Sequence, residues 1–242
     1  MKTFRHGGKL GDLIYALPTI RELGGGILYI PERTPDGVTN MYSNMKRLLE
    51  LQPYIKEVRE YPSGLAYKEL APGIHIDYDL DMARDQPAKG VIHIVKRYMD
   101  AFGIKIPNWK DPWLSIERHH VERGPEYTIF NYTGRHIIND RMPSRPFDWK
   151  NLWDSIEGNK YFIGTTDEVI QFREIVKSDV DYVVTNDALE VAIWVNQAKA
   201  VYCNQSLVLT LAQATGTPYY LFPKPFKTNC ILNNVPYENI LR

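Results

Sequence analysis

Short apolar runs alternate along the chain with stretches whose apolar residues recur at helical spacing. Leu13, Ile14, Leu17, Ile20 and Leu23 predict a helix that opens near Gly11 or Asp12. Gly24-Gly25-Gly26 ends it, and Ile27-Leu28-Tyr29-Ile30 reads as a buried strand closed by Pro31. Met45, Leu48, Leu49 and Leu51 give Asn40 to Leu51 an apolar helical side. Ile55 to Tyr61 and Ile74 to Leu80 are strand candidates, and Ile94, Val95, Tyr98 and Phe102 predict a helix over Gly90 to Phe102. Strands alternating with helices imply parallel βαβ units.

Between Gly103 and Pro125 the period is lost among Pro107, Pro112, two tryptophans and a charge-rich run. This reads as a linker with a domain boundary near Arg123, giving domains 1–123 and 124–242. The alternation then restarts. Strands are expected at Tyr127 to Tyr132, Tyr161 to Ile163, Tyr182 to Val184, Ala200 to Cys203 and, last, Tyr219 to Phe222. Helices are expected at Asp148 to Glu157, from Gly164-Thr165-Thr166-Asp167-Glu168 to about Val176, at Asp187 to Gln197, and at Leu207 to Ala214 with Ser206 as cap and Gly216 as stop.

Composition adds boundaries rather than direction. The 242 residues carry 29 basic and 29 acidic side chains, so no global charge draws the chain to nucleic acid or to a membrane surface. Cys203 and Cys230 have neither metal-site nor disulfide-framework spacing, which favours a reducing, cytoplasmic setting. Asp12, Pro18 and Arg21 break the apolar run that a cleaved leader needs, and no stretch approaches the roughly 20 apolar residues of a membrane span.

The candidate chemistry begins in the loop Gly7-Gly8-Lys9-Leu10-Gly11-Asp12. Its glycines let backbone approach a ligand, and a helix N-terminus offers unpaired N–H groups to an anion. Asp12 then stands where the helix dipole favours a carboxylate, either as a base or as a helix cap. The spacing is neither that of a dinucleotide fingerprint nor that of a Walker loop. Asp77, Asp79 and Asp81 alternate on a strand candidate and would share one face, either as oxygen ligands for a divalent metal or as a solvated edge. His119-His120 reads as exposed. His6, beside the glycine loop, is either a contact for an acceptor or phosphate or a loop residue with no catalytic job, and Tyr15 and Tyr132 suit either a cleft or a core.

Gly11-Asp12-Leu13-Ile14-Tyr15-Ala16-Leu17-Pro18 resembles the N-terminal G-D-x-x-x-x-L-P signature of the heptosyltransferase-like glycosyltransferases, family 9. The run from Asp187 through Cys203-Asn204-Gln205-Ser206 to Ala212-Gln213-Ala214-Thr215-Gly216-Thr217-Pro218 resembles that family's donor-site block. Strand Tyr161 to Ile163 followed by Gly164 and Glu168 resembles its strand-G-x-x-x-E step. The resemblance spans nearly the whole chain. It departs at Gln205, Leu207 and Thr210, where the family carries aspartate, glycine and histidine, and the chain is shorter than typical members.

The resemblance implies an α/β fold of two facing Rossmann-like domains of the GT-B type, each a parallel sheet flanked by helices. It implies an N-terminal acceptor domain, a C-terminal donor domain, and inverting, metal-independent sugar transfer with Asp12 as general base. The donor, a nucleotide-diphosphate sugar, is expected to meet Gly11, Gly164, Glu168, Asn204, Gln205, Ser206 and Leu207, with one or more of Arg135, Arg141 and Arg145 on its diphosphate. No separate cofactor or metal is expected. The acceptor is left open among a glycan, a modified nucleobase, a protein and a small molecule. The alternatives are a degenerate member that binds a nucleotide without transfer, and a metal-dependent transferase using the acidic run.

Overall fold

In a computed structural model, residues 1–33, 40–62, 71–85, 92–116, 126–133, 147–222, 229–232 and 235–240 are described. The chain forms two compact units, Met1–Ser115 with Asn186–Leu189, and Ile116–Thr185 with Glu190–Arg242.

The first unit is built on a four-stranded parallel sheet. Its elements are β1 (Thr3–Arg5), α1 (Leu10–Glu22), β2 (Gly26–Pro31), α2 (Met41–Glu50), β3 (Ile55–Tyr61), β4 (Tyr78–Asp79), α3 (Met82–Asp85) and α4 (Ile94–Ala101). The strand order is β3-β2-β1-β4. Parallel neighbours need crossovers, and buried parallel strands read as near-continuous apolar runs, as Ile27 to Ile30 does. The expected strand over Ile74 to Leu80 shrinks to Tyr78–Asp79, which pair with Phe4 and Arg5. The Asp77 N–H still donates to the Thr3 carbonyl at 3.1 Å, but the Thr3 N–H and hydroxyl go to the Asp77 carboxylate at 2.8 and 2.9 Å, so a side chain takes one half of the pairing there.

α1 is almost wholly buried from Leu13 to Ile20, with Pro18 in its interior. A proline supplies no N–H to the carbonyl four residues earlier, here Ile14. The buried Trp113 indole N–H donates to that carbonyl at 3.0 Å. The aperiodic segment after α4 is thus anchored to α1, and Gln52 exchanges two hydrogen bonds of 3.0 Å with the Ser115 backbone. The turn after α1 needs glycine: at Gly25, with φ +65°, a Cβ would run into the Tyr54 carbonyl.

The second unit carries β5 (Tyr127–Asn131), α5 (Trp149–Ser155), β6 (Asn159–Ile163), α6 (Thr166–Val176), β7 (Asp181–Val183), α7 (Ala188–Gln197), β8 (Ala200–Cys203), α8 (Leu207–Thr215), β9 (Tyr219–Leu221) and β10 (Glu238–Ile240). All six strands are parallel, in the order β10-β9-β8-β5-β6-β7. Counted within the unit, this is the doubly wound order 3-2-1-4-5-6. Tyr219 to Phe222 is therefore not the last strand. Glu238–Ile240 adds to its edge, fixed by Glu238 Oε1, which accepts from Tyr219 Oη at 2.6 Å and Leu232 N at 2.9 Å.

An aromatic ladder crosses this sheet. Tyr182, Phe162, Phe130, Tyr202 and Tyr220 stand in register on five adjacent strands. Phe130 stacks on Tyr202 at 5.2 Å between centroids, and Tyr202 on Tyr220 at 4.4 Å. Trp153 of α5 and Phe172 of α6 close over Phe130.

Candidate active site

In an open parallel sheet, ligands gather beyond the C-terminal strand ends where the strand order reverses. That point lies between β1 and β4 in the first unit and between β5 and β8 in the second.

In the first unit, β1 runs into Arg5-His6-Gly7-Gly8 and then α1. Asp12 is the third residue of α1 and half-buried. Lys9 is the N-cap and its side chain makes no capping hydrogen bond. His6 is fully buried rather than an open loop residue. Its Nδ1 accepts the Gly8 N–H at 3.2 Å, so Nε2 carries the ring proton and donates to Tyr98 Oη of α4 at 2.8 Å. Tyr15 is core, packed edge-on to His93 and against Trp113.

The acidic run belongs to the same strand ends. Asp81 Oδ2 accepts the Gly7 N–H at 2.8 Å and lies 3.9 Å from Arg5 Nη2. Arg5 Nη1 donates to Asp79 Oδ2 at 3.2 Å, and its guanidinium lies 4.9 Å over the Tyr61 ring. Asp79 Oδ1 in turn accepts the Asp81 N–H at 3.1 Å. The three aspartates do not converge on one strand face: Asp77 is held by Thr3 and His75, whereas Asp79 and Asp81 enclose a buried arginine. Thr3's backbone and hydroxyl, then His75, hold the Asp77 carboxyl below its usual range. Among the described residues, no three His, Cys, Asp or Glu side chains form a group able to hold a metal ion.

In the second unit, the mouth between β5 and β8 is bridged by side chain. Asn204 Oδ1 accepts the Thr133 N–H at 3.0 Å and its Nδ2 donates to the Thr133 carbonyl at 2.9 Å, extending the ladder past both strand ends. Asn131 Nδ2 donates to the Ile163 carbonyl at 2.7 Å, tying β5 to β6. Asn131 and Thr133 are absent from the sequence-derived site. The available signal was an asparagine at the end of an otherwise apolar strand.

Ser206 caps α8 by accepting the Leu209 N–H at 3.3 Å, and Gly216 stops the helix in the left-handed conformation. Leu207 is the first helical residue and half-buried. Gln205 Nε2 donates to Cys230 Sγ at 2.8 Å, and the buried Thr210 hydroxyl donates to the Ser206 carbonyl at 3.2 Å. Glu168 Oε2 accepts the Thr165 N–H at 2.8 Å in a reciprocal capping box, so it serves the start of α6. Gly164 packs against that carboxylate: a Cβ would fall 2.8 Å from Glu168 Oε2 and 2.7 Å from Phe162 Cε1. Tyr132 is core, edge-on to Trp149. Arg135, Arg141, Arg145 and His119-His120 lie outside the described residues.

Two parallel sheets of doubly wound strand order, each with a glycine- or serine-led turn into a helix at its switch point, run through the described residues. E. coli heptosyltransferase WaaC with ADP superposes with a TM-score of 0.68 at 12% identity, over 100% of this chain and 93% of that one. E. coli ADP-heptose lipopolysaccharide heptosyltransferase II gives 0.65 at 13%, over 100% and 90%. A family 9 glycosyltransferase from Veillonella parvula gives 0.65 at 13%, over 99% and 84%. The fold is that of the heptosyltransferases. No family model and no curated protein sequence matches the chain. No helix among the described residues is long and apolar enough to cross a membrane.

Within the heptosyltransferase fold, the expected site residues fall into two separate sets. Gly11 and Asp12 stand at the opening of α1. Gly164, Glu168, Asn204, Gln205, Ser206 and Leu207 stand at the C-terminal strand ends of the second sheet, where Gln205, Asn204 and Glu168 each make internal hydrogen bonds.

Proposed function

We propose that the protein is an inverting, metal-independent glycosyltransferase that moves a sugar from a nucleotide-diphosphate sugar to an acceptor hydroxyl. The observation that carries this reading is the likeness, over the full chain, to solved glycosyltransferases, one of them holding ADP. Residues 1–123 serve the acceptor and 124–242 the donor. Asp12, in the first turn of α1, takes the acceptor hydroxyl proton as its oxygen attacks the anomeric carbon. The bond from that carbon to the diphosphate breaks, and the nucleoside diphosphate leaves with its charge. The opening of α8 gives that charge backbone N–H groups and the Ser206 hydroxyl, and one or more of Arg135, Arg141 and Arg145 meets the phosphates.

The second reading is a nucleotide-sugar binding protein without transfer. It is favoured by the three departures from the donor block, because the Gln205 amide is spent on Cys230 and the Thr210 hydroxyl on its own helix. Calorimetry with ADP, GDP, UDP, CDP and TDP and their common sugars, with and without Mg²⁺, comes first. Saturable, metal-independent binding of one of them supports a donor site, and no binding across the panel refutes both readings. Acceptor profiling with the bound donor then separates the two. Loss of a general base is worth about 10²- to 10⁴-fold in rate, so D12N transferring sugar as fast as wild type would remove Asp12 from the mechanism.

A further inference from the structure

We infer that Asp81 is a positioning residue for Asp12: its buried carboxylate grips the Gly7 backbone at the mouth between β1 and β4 and so sets where α1 begins. The inference rests on the glycosyltransferase reading above. One contact, seen from the backbone and from the missing side chain, carries it. The Gly7 N–H donates to Asp81 Oδ2 at 2.8 Å, and the same oxygen lies 2.8 Å from where a Cβ on Gly7 would stand. One carboxylate oxygen therefore both accepts the Gly7 N–H and closes the space where a side chain would stand. Residue 7 is glycine because a carboxylate fills the space of its side chain.

The carboxylate is itself fixed. Arg5 lies beneath it at 3.9 Å, Asp79 ties down Arg5 at 3.2 Å, and Asp79 Oδ1 receives the Asp81 N–H. One residue further along the loop, Gly8 N–H is held by His6 Nδ1, whose Nε2 is bound to Tyr98. Two successive loop amides are thus pinned by buried side chains just before α1 starts, and Asp12 follows in the first turn. No side-chain hydrogen bond from the N-cap Lys9 does this work. Asp81 touches no substrate in this scheme. It acts through the backbone, by keeping the Asp12 carboxylate at one distance from the acceptor oxygen.

The test uses the full-length chain and two variants, G7A and D81N. G7A keeps every charge and adds a methyl against the carboxylate; D81N keeps the shape and removes the charge. A displacement of about 1 Å at a reacting group costs on the order of a hundredfold in rate. The expected result is a fall of about that size in kcat for both variants, with donor KM and nucleotide affinity by calorimetry unchanged. A purely structural role predicts a lower melting temperature and a smaller active fraction with kcat per folded molecule intact, and that outcome overturns the inference. So does a parallel loss of donor binding. If G7A does not fold, D81N alone decides. If wild-type protein binds a nucleotide sugar but transfers it to nothing, the transferase reading falls and the catalytic role of Asp81 with it. Amide exchange at Gly7 and Gly8 then reads the brace by itself: acceleration by about tenfold or more in D81N upholds it, and unchanged protection refutes it.

Discussion

Trp113 and Pro18 form a pair whose coupling can be measured. α1 runs through Pro18, so the Ile14 carbonyl has no intrahelical donor, and the Trp113 indole N–H supplies one at 3.0 Å. Both sites are buried, Ile14 fully and Trp113 to 4% exposure, so water does not substitute. Trp113→Phe removes the donor and leaves a buried carbonyl unsatisfied, at about 1–3 kcal/mol. The smaller ring gives up roughly 40 Å² of buried apolar area, about 1 kcal/mol more at 25 cal/mol per Å². The sum is about 2–4 kcal/mol. With Pro18→Ala, residue 18 regains an N–H and Ile14 O regains its helical partner. Trp113→Phe then costs the area alone, so the two substitutions couple by about 1–3 kcal/mol. Urea denaturation of the four proteins, followed by far-UV circular dichroism with the m-value checked for constancy, gives the cycle. Costs of Trp113→Phe that agree in the two backgrounds to within about 0.5 kcal/mol would refute the reasoning.

Thr165→Ala removes the acceptor for the Glu168 N–H and costs about 1 kcal/mol in denaturant, whereas Thr165→Ser stays within a few tenths; equal losses would contradict the capping role. Burial pushes the Cys230 thiol up to about 11 and the Cys203 thiol higher still, so both resist a thiol reagent at pH 8 until denaturant is added; rapid reaction of native protein would show those sites to be open. Burial, with the neighbouring Tyr220, pushes the Tyr202 phenol up to about 12, so the unfolded chain loses that proton from about pH 10 while the folded chain keeps it. The stability it contributes is complete below pH 10 and lost between 10 and 12. Tyr202→Phe should flatten that limb of the pH–stability curve, and an unaltered limb would count against it.

What the sequence discloses depends on how local each interaction is. The strands at Ile27 to Ile30 and Ala200 to Cys203 announce themselves because burial on both faces demands consecutive apolar residues. β10 does not, since Glu238-Asn239-Ile240 has no apolar run and gains its place from Glu238 reaching Tyr219. The strand over Ile74 to Leu80 is overdrawn because Asp77 satisfies Thr3 with a carboxylate, something no periodicity reports. The glycine loop and the opening of α1 are readable for the same local reason. The Arg5–Asp79–Asp81 cluster is not, because it exists only after the strand order has set β4 beside β1. Likewise Trp113 reads as linker until Pro18 is seen to leave a carbonyl open.

The aromatic ladder of the second sheet also bears on how that unit assembles. Phe130 meets Phe162 and Tyr202 meets Tyr220 across one helical crossover each, but Phe130 and Tyr202 come together only when the two halves of the sheet join at β5 and β8. That middle rung closes the longest loop and brings its reward last, so it belongs to the slow part of folding. Before it forms, each half exposes an aromatic edge beside an unpaired strand, the combination most prone to wrong partners. The stack that completes the core is therefore also the lock on its two halves. Shaving Tyr202 should slow refolding more than shaving Tyr182 at the outer end of the same row.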